Sequence, residues 1–153
     1  MVNYIKEIRK KVGHDYIILN FAGGCVFNEK GEVLLQKRGD NEGWGFPGGA
    51  MEIGESAEET AIREIRGETG YMVEVDEFIG VYTKYFHTYP NGDQAQTIGI
   101  FFKCSIIGGS KKIDGEETLD LKFFSLDQMP TLFNEQHRDC LKDILEKRTG
   151  VFR

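Results

Sequence analysis

Two periodicities interleaved along 153 residues predict an α/β protein, a mixed β-sheet with helices on both faces. Apolar runs of strand length separate segments with helical spacing, and those segments fall at the start, middle and end of the chain. With 40% hydrophobic residues, three prolines and no repeat, linker or low-complexity tract, residues 1–153 are expected to form one domain. A chain of this length can bury one sizeable core and has little left for a second.

In chain order, Ile5, Ile8 and Val12 share a helical face that Gly13 stops, which predicts a short N-terminal helix over roughly residues 3–12. The apolar run Tyr16 to Phe27 is interrupted at Gly23-Gly24 and reads as strands meeting at a bend. Asn28-Glu29-Lys30-Gly31 is a hairpin turn, and Glu32 to Lys37 returns as a strand. Trp44-Gly45-Phe46-Pro47-Gly48-Gly49 is a turn that needs small residues. Ser56 and Glu59 make a capping box, Ala57 to Thr69 is rich in helix formers, and Gly70 suits the C-terminal cap, so one helix is expected here. Val73 to Lys84 and Thr97 to Ile106 read as strands on either side of a loop from Phe86 to Gln96. Lys122 to Leu126 is a short strand. Asn134 to Arg148, with Leu141, Ile144 and Leu145 on one face and Gly150 behind, is the closing helix.

Several function classes are disfavoured by composition. No stretch reaches the ~20 apolar residues of a membrane span, and the first residues lack the apolar core of a signal peptide, so a cytoplasmic protein without a membrane partner is expected. Cys25, Cys104 and Cys140 are odd in number and widely spaced, which suits reduced core residues better than a disulfide frame or a metal site. A net charge of −6 argues against binding a nucleic-acid polymer. It also means that an anionic phosphate substrate would need cations to offset repulsion. Assembly as a homodimer stays open.

The chemistry concentrates in the central helix. At 3.6 residues per turn Ala61, Ile62 and Ile65 share an apolar arc, and Glu64 and Glu68, four apart, stack at its edge with Cβ atoms about 5–6 Å apart. Like charges at this spacing repel, and a divalent cation converts the repulsion into coordination. Hard oxygen ligands suit Mg²⁺ or Mn²⁺. The competing interpretation is a solvated acidic face paired with Arg63 and Arg66.

The segment GAMEIGESAEETAIREIRGETGY, Gly49 to Tyr71, resembles the Nudix box: Gly49, Glu55, Arg63, Glu64, Ile65, Glu68, Gly70 and Tyr71 fall on its pattern. Gly67 departs from it, standing where the family has the first of two adjacent glutamates. The resemblance implies an α/β/α sandwich with a mixed sheet. It also implies a metal site made by Glu64, Glu68 and the Gly49 carbonyl, with Arg63 and Glu55 orienting the carboxylates. The activity implied is Mg²⁺- or Mn²⁺-dependent hydrolysis of a nucleoside diphosphate linked to another moiety. Catalysis is expected from Glu64 and Glu68, with Glu117 in the acidic loop Asp114-Gly115-Glu116-Glu117 as the distant base and Asp120 in reserve; the alternative for that loop is a solvated turn. Loss of the carboxylate at Gly67 leaves a second possibility, a catalytically weak or silent module that binds a nucleotide or a protein.

Aromatic faces can hold a base by stacking. The candidates for substrate binding are Trp44 and Phe46 near the glycine turn and Tyr85 and Phe86 beside the long loop, with Tyr82, Tyr89 and His87 as neighbours. Each of these aromatics has core packing as its alternative. No second motif narrows the substrate.

Overall fold

The structure, a computed structural model, describes residues 3–153. Helix α1 (Tyr4–Val12) is capped by the Asn3 side chain. Strands β1 (Ile17–Phe27), β2 (Val33–Arg38), β3 (Trp44–Gly45) and β4 (Gly48–Ala50) precede helix α2 (Ala57–Thr69). Then come β5 (Tyr71–Thr88), β6 (Gln94–Gly109), β7 (Thr118–Phe124), a 3₁₀ turn (Leu126–Gln128), α3 (Glu135–Leu145) and β8 (Val151–Phe152).

All eight strands join one mixed sheet. Its spine is β1 parallel to β6 from Ile17↔Ala95 to Phe27↔Ser105, with β5 antiparallel on the far side of β6. Strands β1 and β2 pair only at Phe27↔Val33 and then part: β2 goes on to pair with β7 and β3, while β4 takes the edge of β1 at Phe21 to Gly23. That divergence brings the Trp44 to Gly49 segment into the middle of the molecule.

The two sheet faces bury separate cores. On one, Ala61 and Ile65 of α2 pack against Ala22, Val26, Leu34, Val73, Cys104 and Leu121. On the other, Cys140 of α3 joins Cys25, Leu35, Phe46, Ile79, Tyr82 and Phe101. The layering is therefore the expected helix, sheet, helix arrangement. At the chain's end Arg153 binds the fully buried Asp143 through two nitrogens, at 2.8 and 3.1 Å, and Tyr82 donates its hydroxyl to the same carboxylate at 2.7 Å.

Four local expectations are corrected. Strand β1 runs unbroken through Gly23-Gly24; the glycines admit β4, since a Cβ on Gly23 would lie 2.6 Å from the Pro47 carbonyl oxygen. The long loop shrinks to five residues, Tyr89 to Asp93, because β5 and β6 continue past Phe86 and Gln96. Strand β7 begins at Thr118, four residues before Lys122, and α3 stops at Leu145.

Candidate active site

Helix α2 starts from a complete capping box, with Ser56 Oγ accepting from the Glu59 N–H and the Glu59 carboxylate accepting from the Ser56 N–H. It ends at Gly70, whose φ of 82° is left-handed. With both ends fixed and Ala61 and Ile65 buried, the helix has one rotational setting, and Glu64 and Glu68 face the Gly48-Gly49 backbone. Glu68 accepts from the Gly48 N–H at 2.8 Å and from Gln36 Nε2 at 3.2 Å. The Glu64 carboxyl lies against Gly49, where a Cβ would come within 2.4 Å of its Cδ. A side chain at that contact would displace the Glu64 carboxyl.

Arg63 binds the helix to the loop in front of it. Its guanidinium donates to both Glu55 oxygens at 2.6 and 2.9 Å, to the Ala50 carbonyl at 3.1 Å and to Glu64 Oε1 at 2.7 Å. Those bonds hold the Glu55 carboxyl down at about 2 and push the guanidinium above its ordinary range, so this pair is ionised at any ordinary pH. Glu68 moves the opposite way. Burial first, and the Glu64 charge second, raise it to about 8.

A carboxylate that is hard to ionise beside a second carboxylate and a loop of bare backbone is a place for a cation. The donors are hard oxygens, and both acids stand at one edge of α2, so the residues fit Mg²⁺ or Mn²⁺. The acid supply is small. Among the described residues no three His, Cys, Asp or Glu side chains gather into a metal-holding group, and Gly67 is exposed on α2 with nothing within 4 Å of where its Cβ would be.

Glu117 approaches from β7's leading loop. Its carbonyl oxygen accepts from the Gly39 N–H at 3.0 Å, its side chain is exposed, and the next residue, Thr118, donates its hydroxyl to the Glu68 carbonyl at 2.9 Å. Gln36, buried in β2, ties the two together: Nε2 also donates to Thr118 Oγ1 at 2.8 Å. The loop is held from within by Asp114, which accepts from the N–H groups of Glu116 and Thr118.

A cleft of about 410 Å³ opens beside Gly48 and Gly49. Of the four aromatics expected at the substrate, Phe46 lines it. Trp44 does not, and packs edge-on against Phe124 at 5.2 Å. Tyr85 is turned into the core with its hydroxyl on Asp139, and Phe86 projects to solvent beside Tyr16. His87 and Tyr89, named beside them, line it too, whereas sequence patterns missed Arg38, Phe101, Phe133, Asn134 and His137. Asn134 had a signal, as the residue that caps α3; His137, three residues on, had none.

The Nudix domain family model matches residues 20–144. The chain is 43% identical over 118 residues to a Bacillus subtilis protein named "Putative 8-oxo-dGTP diphosphatase", covering 77% of this chain and 74% of that one. It is 33% identical over 129 residues to the ADP-ribose pyrophosphatase of Methanocaldococcus jannaschii, covering 82% and 72%. Among solved structures, the MutT protein of Methanosarcina mazei Go1 superposes with a TM-score of 0.73 at 25% identity, over 87% of this chain and 96% of that one. With the box helix, the loop it faces and the layered sheet all present, the chain belongs to the Nudix family of hydrolases, enzymes that act on phosphoric anhydride bonds.

Proposed function

We propose that this protein is a Mg²⁺- or Mn²⁺-dependent pyrophosphohydrolase that cleaves a nucleoside diphosphate linked to another group, in the cytoplasm. The observation that carries this reading is the convergence of Glu64 and the buried, reluctant Glu68 on Gly48-Gly49 at the mouth of an aromatic cleft. Glu64 and Glu68, with the Gly49 carbonyl, hold the cation. Its chemistry when bound is to neutralise phosphoryl oxygens and to make water a nucleophile near neutral pH. Arg63, fixed by Glu55, keeps Glu64 in place. The backbone at Gly48-Gly49 lets the diphosphate approach without a side chain in the way. Glu117, exposed on a loop anchored beside Glu68, takes the proton from the attacking water, and the cleft holds the base. Three buried free thiols suit a reducing compartment.

A second reading, a module that binds nucleotide without turnover, draws on Gly67 and the small number of acids. One screen separates the two. Nucleoside triphosphates, nucleotide sugars, ADP-ribose and dinucleoside polyphosphates are incubated with Mg²⁺ or Mn²⁺. Release of phosphate, pyrophosphate or a nucleoside monophosphate from any of them supports the hydrolase. Binding with no cleavage across the panel supports the silent module.

A further inference from the structure

The polar edge of the cleft carries a hydrogen-bond pattern that selects among bases. His137 packs against Phe46 (5.7 Å, nearly parallel), Phe101 (5.2 Å) and Phe133 (4.7 Å), and its Nδ1 accepts the Phe46 N–H at 3.1 Å. An Nδ1 that accepts carries no proton, so the proton sits on Nε2. Burial, with Arg38 and His87 adding to it, holds the ring neutral.

A second donor is fixed by a longer chain of bonds. Asn134 Oδ1 accepts the His137 N–H at 2.8 Å, which sets the amide orientation and points Nδ2 at His87 Nε2, 3.3 Å away. His87 Nε2 therefore accepts, and its proton sits on Nδ1. Both histidines line the cleft, and among the described residues neither His137 Nε2 nor His87 Nδ1 has a hydrogen-bond partner.

Three side-chain amide oxygens and one carboxylate at the same edge already accept bonds. The amide oxygens of Asn41, Asn134 and Gln136 accept from the Gly43 N–H, the His137 N–H and the Thr97 hydroxyl. Asp40, the one carboxylate among the lining residues, receives two nitrogens of Arg38, which lies over the Phe133 ring at 4.7 Å.

From these two neutral ring donors we propose that the cleft takes a base through an oxo-bearing edge, a 6-oxopurine or 4-oxopyrimidine, and rejects the 6-amino or 4-amino counterpart. An oxo group can accept from either ring N–H, that of His137 Nε2 or that of His87 Nδ1. An amino group in its place sets donor against donor, and a site built to bond one group discriminates strongly against an analogue that cannot make the bond. The inference rests on reading this cleft as the base site of the hydrolase, and it favours a guanine-type over an adenine-type substrate.

Binding of the monophosphates, without metal or turnover, tests it independently of catalysis. IMP against AMP, and UMP against CMP, differ at the group in question, and calorimetry should show the oxo member of at least one pair bound about tenfold or more tightly. A preference in the first pair identifies a purine, in the second a pyrimidine. His137→Phe should erase the preference, and His137→Asn, which can accept from Phe46 and still donate, should restore part of it; thermal unfolding checks that both fold. Glu68→Gln should keep the preference while losing turnover. AMP and CMP bound as tightly as IMP and UMP by the unmodified protein, or a preference that survives in a folded His137→Phe, would overturn the proposal. Failure of every diphosphate to be cleaved, with the oxo preference intact, would instead count against the hydrolase reading alone.

Discussion

Glu68 is the residue on which most of the proposed chemistry converges. Glutamine in its place can still accept from the Gly48 N–H, so Glu68→Gln should fold normally. It should lose roughly a hundredfold or more in kcat/KM, since even groups behind a metal ligand are worth about 10–100-fold. Equal rates and equal Mn²⁺ affinity in the two forms would remove Glu68 from the site. Gly67 poses the reverse experiment. Its Cβ position is open, so Gly67→Glu meets no clash; it should bind Mn²⁺ more tightly and stabilise α2 by about 0.5 kcal/mol through helix propensity. A metal titration and a denaturant curve read the two effects separately, and unchanged Mn²⁺ affinity would mean that the position lies outside the metal's reach. His137 gives the pH dependence. Its folded pKa of about 3 lies below the ordinary 6.5, so the unfolded chain takes up the proton first. The stability tied to the neutral ring is complete above 6.5 and is lost as pH falls toward 3. Melting midpoints should therefore drop less between pH 7 and pH 4 in His137→Asn than in the unmodified protein.

Among the elements, α2 and its neighbouring loop show how much could be read in advance. Ser56, Glu59 and Gly70 punctuate the helix in local terms, and the apolar arc of Ala61 and Ile65 fixes which side carries Glu64 and Glu68, so this part of the site follows from one short segment. The cleft does not, because its wall is assembled across the sheet: Phe46 meets His137 through a bond spanning 91 residues. Gly23 and Gly24 misled for a related reason, since a close approach from β4 looks the same in sequence as a bend. Likewise Phe86, His87 and Thr88 looked like loop because no local pattern records that Gln94 to Gln96 would pair with them. The acidic loop before β7 carries its own test. Glu116→Ala, Glu117→Ala and Asp120→Ala are measured at saturating substrate, and Glu117→Ala should lower kcat far more than it changes KM, as expected for a proton acceptor. Three unaltered rates would leave the loop a solvated turn and move the base to Glu64.

For the molecule as a whole, a cation that binds the folded state alone must raise stability. Mg²⁺ at a hundred times its dissociation constant should contribute about 2.7 kcal/mol, visible as a higher melting midpoint, and Glu68→Gln should abolish that gain. No described helix is long and apolar enough to cross a membrane. The Arg153 anchor has a practical side for such work. Asp143 is buried and takes its counter-charge from Arg153 at 2.8 Å and from Arg148 at 3.7 Å, while the Arg153 carbonyl accepts from the Thr83 N–H at 2.7 Å and its N–H donates to Val81 at 2.9 Å. Arg153→Ala would leave the buried carboxylate with Arg148 alone for counter-charge, and the loss should stay below the roughly 3–5 kcal/mol of a buried charge stripped of every partner. A chemical probe of the Arg153 guanidinium would therefore report on the state of the core beneath it.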